Sequence, residues 1–285
     1  MRPRIQSLQI FLINLDRSTD RLLAMKARLE HAGLAWMRVP AIDGSKLDLS
    51  RCAQVDERRF RRRHGKRLNP AEVGCHLSHL KALKTFLAGP AAWALVLEDD
   101  ADFPAGFGDL LDDLLAIGDQ WDIVKLSSFH GGTPVPVAKV SPSYRLAVPL
   151  SRLMNANCIL FNRLAARTLL ERLQPMTLPY DHALEQAVVF GLRLRTVTPM
   201  PCPADTGLPS TIGDRAQLRP FKLAWYRRLP AMAFRLSMEV RRVMLGLAQI
   251  ARARLAHRLR TQSPHDAAAL PFERDRRRQG RQQMQ

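Results

Sequence analysis

Four carboxylates within five positions, Glu98-Asp99-Asp100-Ala101-Asp102, follow directly on the apolar run Trp93-Ala-Leu-Val-Leu97. Left unpaired, so many acids at one strand end repel one another, and a divalent cation is an economical way to hold several of them together. Such a cluster suits Mg²⁺ or Mn²⁺, which keep coordination positions for phosphate oxygens. The pattern suggests a site for a nucleoside diphosphate; the alternative is an acidic turn that caps the following helix.

Two further groups have chemistry to offer. Asn14, Asp16, Arg17 and Arg21 come at the end of the apolar run Ile10-Phe-Leu-Ile-Asn-Leu15, where an α/β sheet contacts the base, ribose or diphosphate of a nucleotide. Helix capping and surface charge are the plainer account of the same residues. Glu72, Ser78 and His79 fall on one predicted helix, and Glu72 and His79, seven apart, share a face as an inward-directed polar pair would. A histidine satisfied in the core is the plainer alternative there.

The elements that must position these residues alternate. Ile10–Leu15 reads as a strand, and Leu22, Met25, Leu29 and Ala32 follow at helical spacing before Gly33. A short strand is predicted near Trp36–Val39, then the turn Asp43-Gly44, and Ser45–Arg67 reads as a polar surface excursion. Asn69-Pro70-Ala71-Glu72 is a helix start with a capping residue, a first-turn proline and a glutamate in the first turn. Val73, Leu77, Leu80, Leu83 and Leu87 supply its buried stripe, and Gly89-Pro90 ends it. Trp93–Leu97, Trp121–Leu126, Asn157–Phe161 and Leu192–Val197 read as strands. Helices are predicted over Leu110–Ile117, Arg163–Leu173 after an Asn162 cap, and 182–190. Alternation of this kind predicts a mostly parallel sheet covered by helices, with ligands at the carboxyl ends of the strands.

The chain has 285 residues, of which 46% are hydrophobic, enough for one large α/β domain with or without a tail. Its net charge of +18 suggests a polyanionic or anionic-lipid partner. Residues 1–214 hold 27 basic and 22 acidic side chains and residues 215–285 hold 17 and 4, so most of the excess lies in the tail. The body has its own cluster of Arg58, Arg59, Arg61, Arg62, Arg63, Lys66 and Arg67. Cys52, Cys75, Cys158 and Cys202 are widely spaced, without metal-ligand intervals, and read as reduced, mostly buried thiols. The run Leu8–Leu15 leads into Asp16-Arg17 without a cleavage site, and no apolar run reaches the ~18 residues of a membrane span, so the expected location is cytoplasmic.

Four motifs in order, Ile13-Asn-Leu-Asp-Arg17 with Arg21, Ala41-Ile-Asp-Gly44, Glu72-Val-Gly-Cys-His-Leu-Ser-His79 and Leu97-Glu-Asp-Asp100, make the chain resemble glycosyltransferase family 25 over roughly residues 8–212. The resemblance implies a GT-A type, Rossmann-like α/β fold, a UDP-sugar donor, usually UDP-galactose, and inverting transfer of a hexose assisted by Mn²⁺ or Mg²⁺. It implies metal contact for Glu98 and Asp100, in the positions of a DxD motif, and donor contact for Asn14, Asp16, Arg17, Arg21, Asp43, Glu72, Ser78, His79 and Asp99. Inverting transfer needs a base for the acceptor hydroxyl. Asp181, in Pro179-Tyr-Asp-His-Ala-Leu-Glu185, is the candidate, a helix N-cap being the other reading. Asn155 and Asn157 are candidate acceptor contacts, and Pro209-Ser-Thr-Ile212 is similar to a short motif near the end of such domains.

The resemblance fades beyond about residue 214, which divides the chain into a catalytic domain over 1–214, a basic amphipathic helical extension over 215–262 and a disordered tail over 263–285. Leu236, Val240, Val243, Leu247 and Ile250 form a stripe among Arg235, Arg241, Arg242, Arg252, Arg254, Arg258 and Arg260. Residues 221–260 thus suit an anionic membrane surface, expected to be the inner face of the cytoplasmic membrane, where a lipid-linked lipooligosaccharide or lipopolysaccharide acceptor would be anchored. A final helix packed on the domain is the alternative. Two other functions compete: a basic nucleic-acid-binding protein, set aside because the charge sits in the tail and no reader motif occurs, and an inactive transferase-like membrane scaffold.

Overall fold

Strand β1 (Leu8–Asn14) is buried on both faces, as its unbroken apolar run requires, and it starts the sheet. The computed structural model describes residues 5–203 and 221–266. Within them the order is β1, α1 (Thr19–His31), β2 (Trp36–Pro40), α2 (Glu57–His64), α3 (Pro70–Ala88), β3 (Trp93–Glu98), α4 (Phe107–Ala116), β4 (Ile123–Lys125), β5 (Pro134–Lys139), β6 (Arg145–Pro149), β7 (Cys158–Asn162), α5 (Arg163–Arg172), α6 (Tyr180–Leu184), β8 (Leu194–Thr198) and α7 (Leu229–Asp266). The motif Pro209–Ile212 and the tail from residue 267 lie outside the described residues, as does the boundary drawn at 214.

The strands form one eight-stranded sheet in the order β2-β1-β3-β7-β4-β8-β6-β5. Pairs β1/β2, β1/β3 and β4/β8 are parallel, while β7 runs against both β3 and β4, and β6 against both β5 and β8. The sheet is therefore mixed, with all strands but β6 and β7 pointing one way. Phe11, Ile13, Val96 and Phe161 pack on one face with residues of α3, α5 and α6. Their neighbours Ile10, Leu12, Leu97 and Leu160 pack on the other with residues of α1 and α4. Helices on both faces of the sheet give the α/β class read from the alternation.

Several local expectations change. The excursion 45–67 contains α2, capped by the Asp56 carboxylate on Arg59 N–H, and it buries Phe60 and His64 despite five arginines. Phe60 packs with Val73, Leu77 and Met176 in a small core that the charge of the segment hides. The helix expected over 182–190 starts at Tyr180 and gives way after Leu184 to a 3-10 turn, Glu185–Val188. Strands β5 and β6 lacked any strand signal; β5 carries Pro134 and Pro136 and lies at the sheet edge, where missing donors are tolerated. Of the cysteines, Cys158 and Cys202 are buried with sulfurs 3.8 Å apart, and Cys52 and Cys75 are half-buried; all four are free thiols.

Helix α7 is joined to the core by buried charge. Lys125 Nζ on β4 donates to Glu185 Oε1 at 3.1 Å, and Arg242 Nη2 lies 3.2 Å from Glu185 Oε2. Arg242 also donates to Glu239 Oε2 at 2.6 Å, and Glu239 pairs in turn with Arg152 at 2.8 Å. Lys125, Glu185 and Arg242 are almost completely withdrawn from water. A buried charge is tolerated only with its partners present. Glu185→Leu removes the carboxylate from buried Lys125 and leaves Arg242 with Glu239 alone, and is expected to destabilise the fold by about 3–5 kcal/mol, read from urea unfolding. A loss below ~1 kcal/mol would show that water reaches this network.

Candidate active site

A pocket of about 320 Å³ opens at the carboxyl ends of β1 and β3, walled by Asn14, Arg17, Asp43, Ser78, His79, Glu98 and Asp99 among others. Its shape is set by the approach of α3 to the loop after β2. A Cβ on Gly74 would stand 2.5 Å from Ile42 O, and one on Gly44 would stand 1.8 Å from Pro70 O, so neither position admits a side chain. Ser78 Oγ accepts from Ile42 N–H at 2.8 Å and donates to Gly74 O at 2.6 Å, stitching helix to loop. The Ser78 hydroxyl is therefore engaged in holding the wall.

The acidic strand end is sorted into separate environments. Asp99 accepts from Asn14 Nδ2 at 2.7 Å and pairs with Arg21 at 3.1 Å. Glu98 Oε1 hydrogen-bonds His79 Nε2 at 2.8 Å, and the His79 ring stacks on Tyr180 with centroids 4.0 Å apart. Asp100 has neither kind of partner: its Oδ1 is buried without a hydrogen bond, and burial together with the Glu98 and Asp99 charges pushes its carboxyl up to about 7. Asp102 lies apart, half-exposed, 3.6 Å from Arg28. Three acids thus share one strand end, and among them only Asp99 has an arginine in direct contact, an arrangement with room for a hard cation.

Cys75, His79 and Glu98 also bring one potential ligand atom each within 4.8 Å of one another. Burial and the Glu98 charge push the Cys75 thiol up and keep it protonated, and its Sγ lies 3.8 Å from Glu98 Oε1. Cys75 Sγ and His79 Nε2 both face the same Glu98 oxygen, so these groups satisfy one another.

Glu72 is buried at the first turn of α3 with Lys66 Nζ 3.8 Å from its Oε1, and its Oε2 is unpartnered. Burial raises its carboxyl to about 7, offset in part by Lys66 and reinforced by the charge of Asp181. Asp181 also acts on Cys75, which places this acid from α6 in the field of the site; its Oδ1 accepts from His182 N–H at 2.8 Å. At the pocket mouth Arg17 pairs with Asp43, and the exposed Asp16 pairs with Arg38 at 2.6 Å. Asn155 adopts a positive φ of 114° and engages its amide with Ser127 Oγ and the Ala156 and Asn157 N–H groups. Asn157 is closer to the chemistry: its carbonyl accepts from Glu98 N–H at 2.9 Å and its Oδ1 is buried without a partner.

The structure therefore brings together Asn14, Arg21, Asp43, Glu72, Ser78, His79, Glu98, Asp99, Asp100 and Asn157, while Asp16 and Asn155 serve the rim and a neighbouring turn. Cys75, Arg38 and Tyr180 escaped the sequence reading. Positions 72, 75 and 79 lie on one helical face, a spacing that marks Cys75, and Tyr180 adjoins Asp181; no local signal marks Arg38.

The pocket lies at the carboxyl ends of the strands of a helix-flanked sheet, where open α/β sheets bind their ligands. Residues 7–131, somewhat less than half of the chain, match the family model of glycosyltransferase family 25 (LPS biosynthesis protein), and that segment is similar to the family. It is 31% identical over 102 residues to a glycosyltransferase 25 family member of Drosophila pseudoobscura pseudoobscura, 34% of this chain and 16% of the relative. It is 30% identical over 126 residues to procollagen galactosyltransferase 1-A of Xenopus laevis, and 31% identical over 126 residues to inactive glycosyltransferase 25 family member 3 of Homo sapiens. Each of these two matches covers 41% of this chain and 21% of the relative, so the chain spans about a fifth of the curated relatives it matches. The matched family segment ends before Asn155, Asn157 and Asp181.

Glu72 offers a pH test. A carboxyl raised from 4.5 to about 7 in the folded state contributes stability below pH 4.5 that is lost as pH rises through 7. Relative to Glu72→Gln, the native chain is expected to lose up to about 3 kcal/mol between those limits, at ~1.4 kcal/mol per pH unit, in denaturant titrations at several pH values. Parallel pH profiles would show that Glu72 titrates normally.

Proposed function

We propose that the domain is an inverting glycosyltransferase that moves a hexose, with galactose the first candidate, from a UDP-sugar to a saccharide acceptor of lipooligosaccharide or lipopolysaccharide type. The observation that carries the reading is the Asp100 carboxylate, its Oδ1 buried without a partner, next in sequence to the Glu98 and Asp99 that line the pocket. The family match supports the donor class, and the name of the Xenopus relative supports the sugar.

Asp100 and Glu98 are the residues to hold Mn²⁺ or Mg²⁺. Bound there, the ion would neutralise charge on the departing diphosphate. Around that point the chain's own groups divide the work. Asn14 and Arg21 fix Asp99 at the pocket wall, and Arg17 and Asp43 flank the opening where the nucleotide would enter. His79 orients Glu98 and is itself held flat against Tyr180. Asp181 would take the proton of the acceptor hydroxyl as its oxygen bonds to the anomeric carbon. The bond from that carbon to the diphosphate breaks on the opposite face, and UDP leaves with the electron pair.

Likeness to a relative named inactive leaves activity to be tested on the site itself. The test is UDP release from a panel of UDP-sugars with Mn²⁺ or Mg²⁺ and a lipooligosaccharide acceptor. One donor is expected to turn over, with a loss of roughly 10²-fold or more in both Asp100→Ala and Asp181→Asn. No turnover, and no metal-dependent UDP binding, would overturn the reading in favour of an inactive transferase-like scaffold. Turnover unchanged in Asp181→Asn would move the base elsewhere.

A further inference from the structure

Helix α7 presents its apolar side to water. Leu229, Met232, Leu236, Val240, Val243 and Leu247 recur at intervals of three and four, fall within about 80° of one another around the helix axis, and are all exposed, Leu236 by 67%. Trp225 and Tyr226, in the turn before the helix, are exposed as well. The opposite side carries Ala231, Met238 and Arg242 into the domain, where Gly246 meets Leu150 and Gln249 Nε2 donates to Leu192 O. The helix is thus docked through a face rich in polar groups, and a continuous apolar stripe about 27 Å long is left open. Large side chains gathered on one exposed stripe mark an interaction surface, unlike singly scattered ones.

Arg254 continues the line of the stripe, and further positive charge lies on other sides of the same helix. Arg227, Arg241, Arg252 and Arg254 are exposed on the same helix or the turn before it. Helix α2 lies alongside: Arg235 donates to His64 O at 2.8 Å, and Arg63 sits over the Phe234 ring at 5.2 Å. Helix α2, on which Arg58, Arg59, Arg61 and Arg62 are exposed, thus packs beside α7, and two basic segments far apart in sequence become neighbours. Glu239, the acid of α7 along the stripe, is already paired with Arg152 and Arg242.

We propose that α7 and α2 together form a docking surface for an anionic phospholipid bilayer. The helix lies in the membrane plane, the stripe from Leu229 to Leu247 enters the boundary between headgroups and acyl chains, and the arginines reach lipid phosphates along their aliphatic stems. The charge decides the occupant: a second copy of the same face would set arginine against arginine. The surface also adjoins the candidate site. Lys66, just past α2, pairs with Glu72, and His64 packs on His182 beside Asp181, with ring centroids 5.0 Å apart. On the transferase reading, and resting on it, this places a bilayer-anchored acceptor next to the site.

The test is sedimentation of the full chain with vesicles of phosphatidylcholine alone and of phosphatidylcholine with phosphatidylglycerol, which needs no transfer activity. Partition onto the anionic vesicles is expected to be at least about tenfold stronger and to weaken with added salt. Leu236→Ser with Leu247→Ser, at exposed positions, is expected to reduce it about tenfold with the melting temperature unchanged. Absence of partition, or equal partition onto both vesicles, would overturn the proposal. So would a dimer of the native chain in sedimentation that the same double substitution dissociates, since the stripe would then join two copies.

Discussion

Helix α3 can lie against the ends of β1 and β3 only because Gly44 and Gly74 remove the atoms that would hold it away from the loop after β2. Everything in the pocket follows from that closeness. It seats Ser78 on the loop, aims His79 at Glu98, and puts Cys75 under the same roof as the acidic strand end. Burial then does electrostatic work at a distance from any single contact. Groups drawn out of water must find a partner or change protonation, and the acids here show both outcomes within three residues.

Much of this arrangement is written locally. The capping asparagine and first-turn proline define where α3 begins, Asn69 Oδ1 accepting from Ala71 N–H as the residue types suggest. The apolar runs of β1 and β3 are unbroken because both strands are interior to a sheet covered on both sides, and the carboxylates follow where the strand leaves that cover. The histidine at 79 and glutamate at 72 share a helical face in the sequence and both prove buried.

What the sequence concealed is long-range. Arg38 reaches Asn14 and Asp16 across the β1/β2 pairing, and nothing near position 38 announces it. Helix α2 looks like solvated surface because five arginines outweigh one phenylalanine, yet that phenylalanine is enclosed. The stripe Leu236, Val240, Val243 and Leu247 was legible as an amphipathic face. The sense of its burial was not: the four open to solvent while Arg242 and Ile250 go inward, because the partner awaiting the helix is the buried Glu185 carboxylate rather than an apolar wall.

That inward arginine bears on the order of assembly. Glu185 can pair with Lys125 as soon as β4 and the turn after α6 have met, but its second oxygen receives a cation from a residue 57 positions further along the chain. While the protein is being synthesised, the turn after α6 holds a buried carboxylate that is only half answered until α7 has emerged and swung back across β5 and β6. A late helix therefore acts as a latch: the domain reaches its final packing only after translation has passed the segment that also bears the exposed apolar stripe.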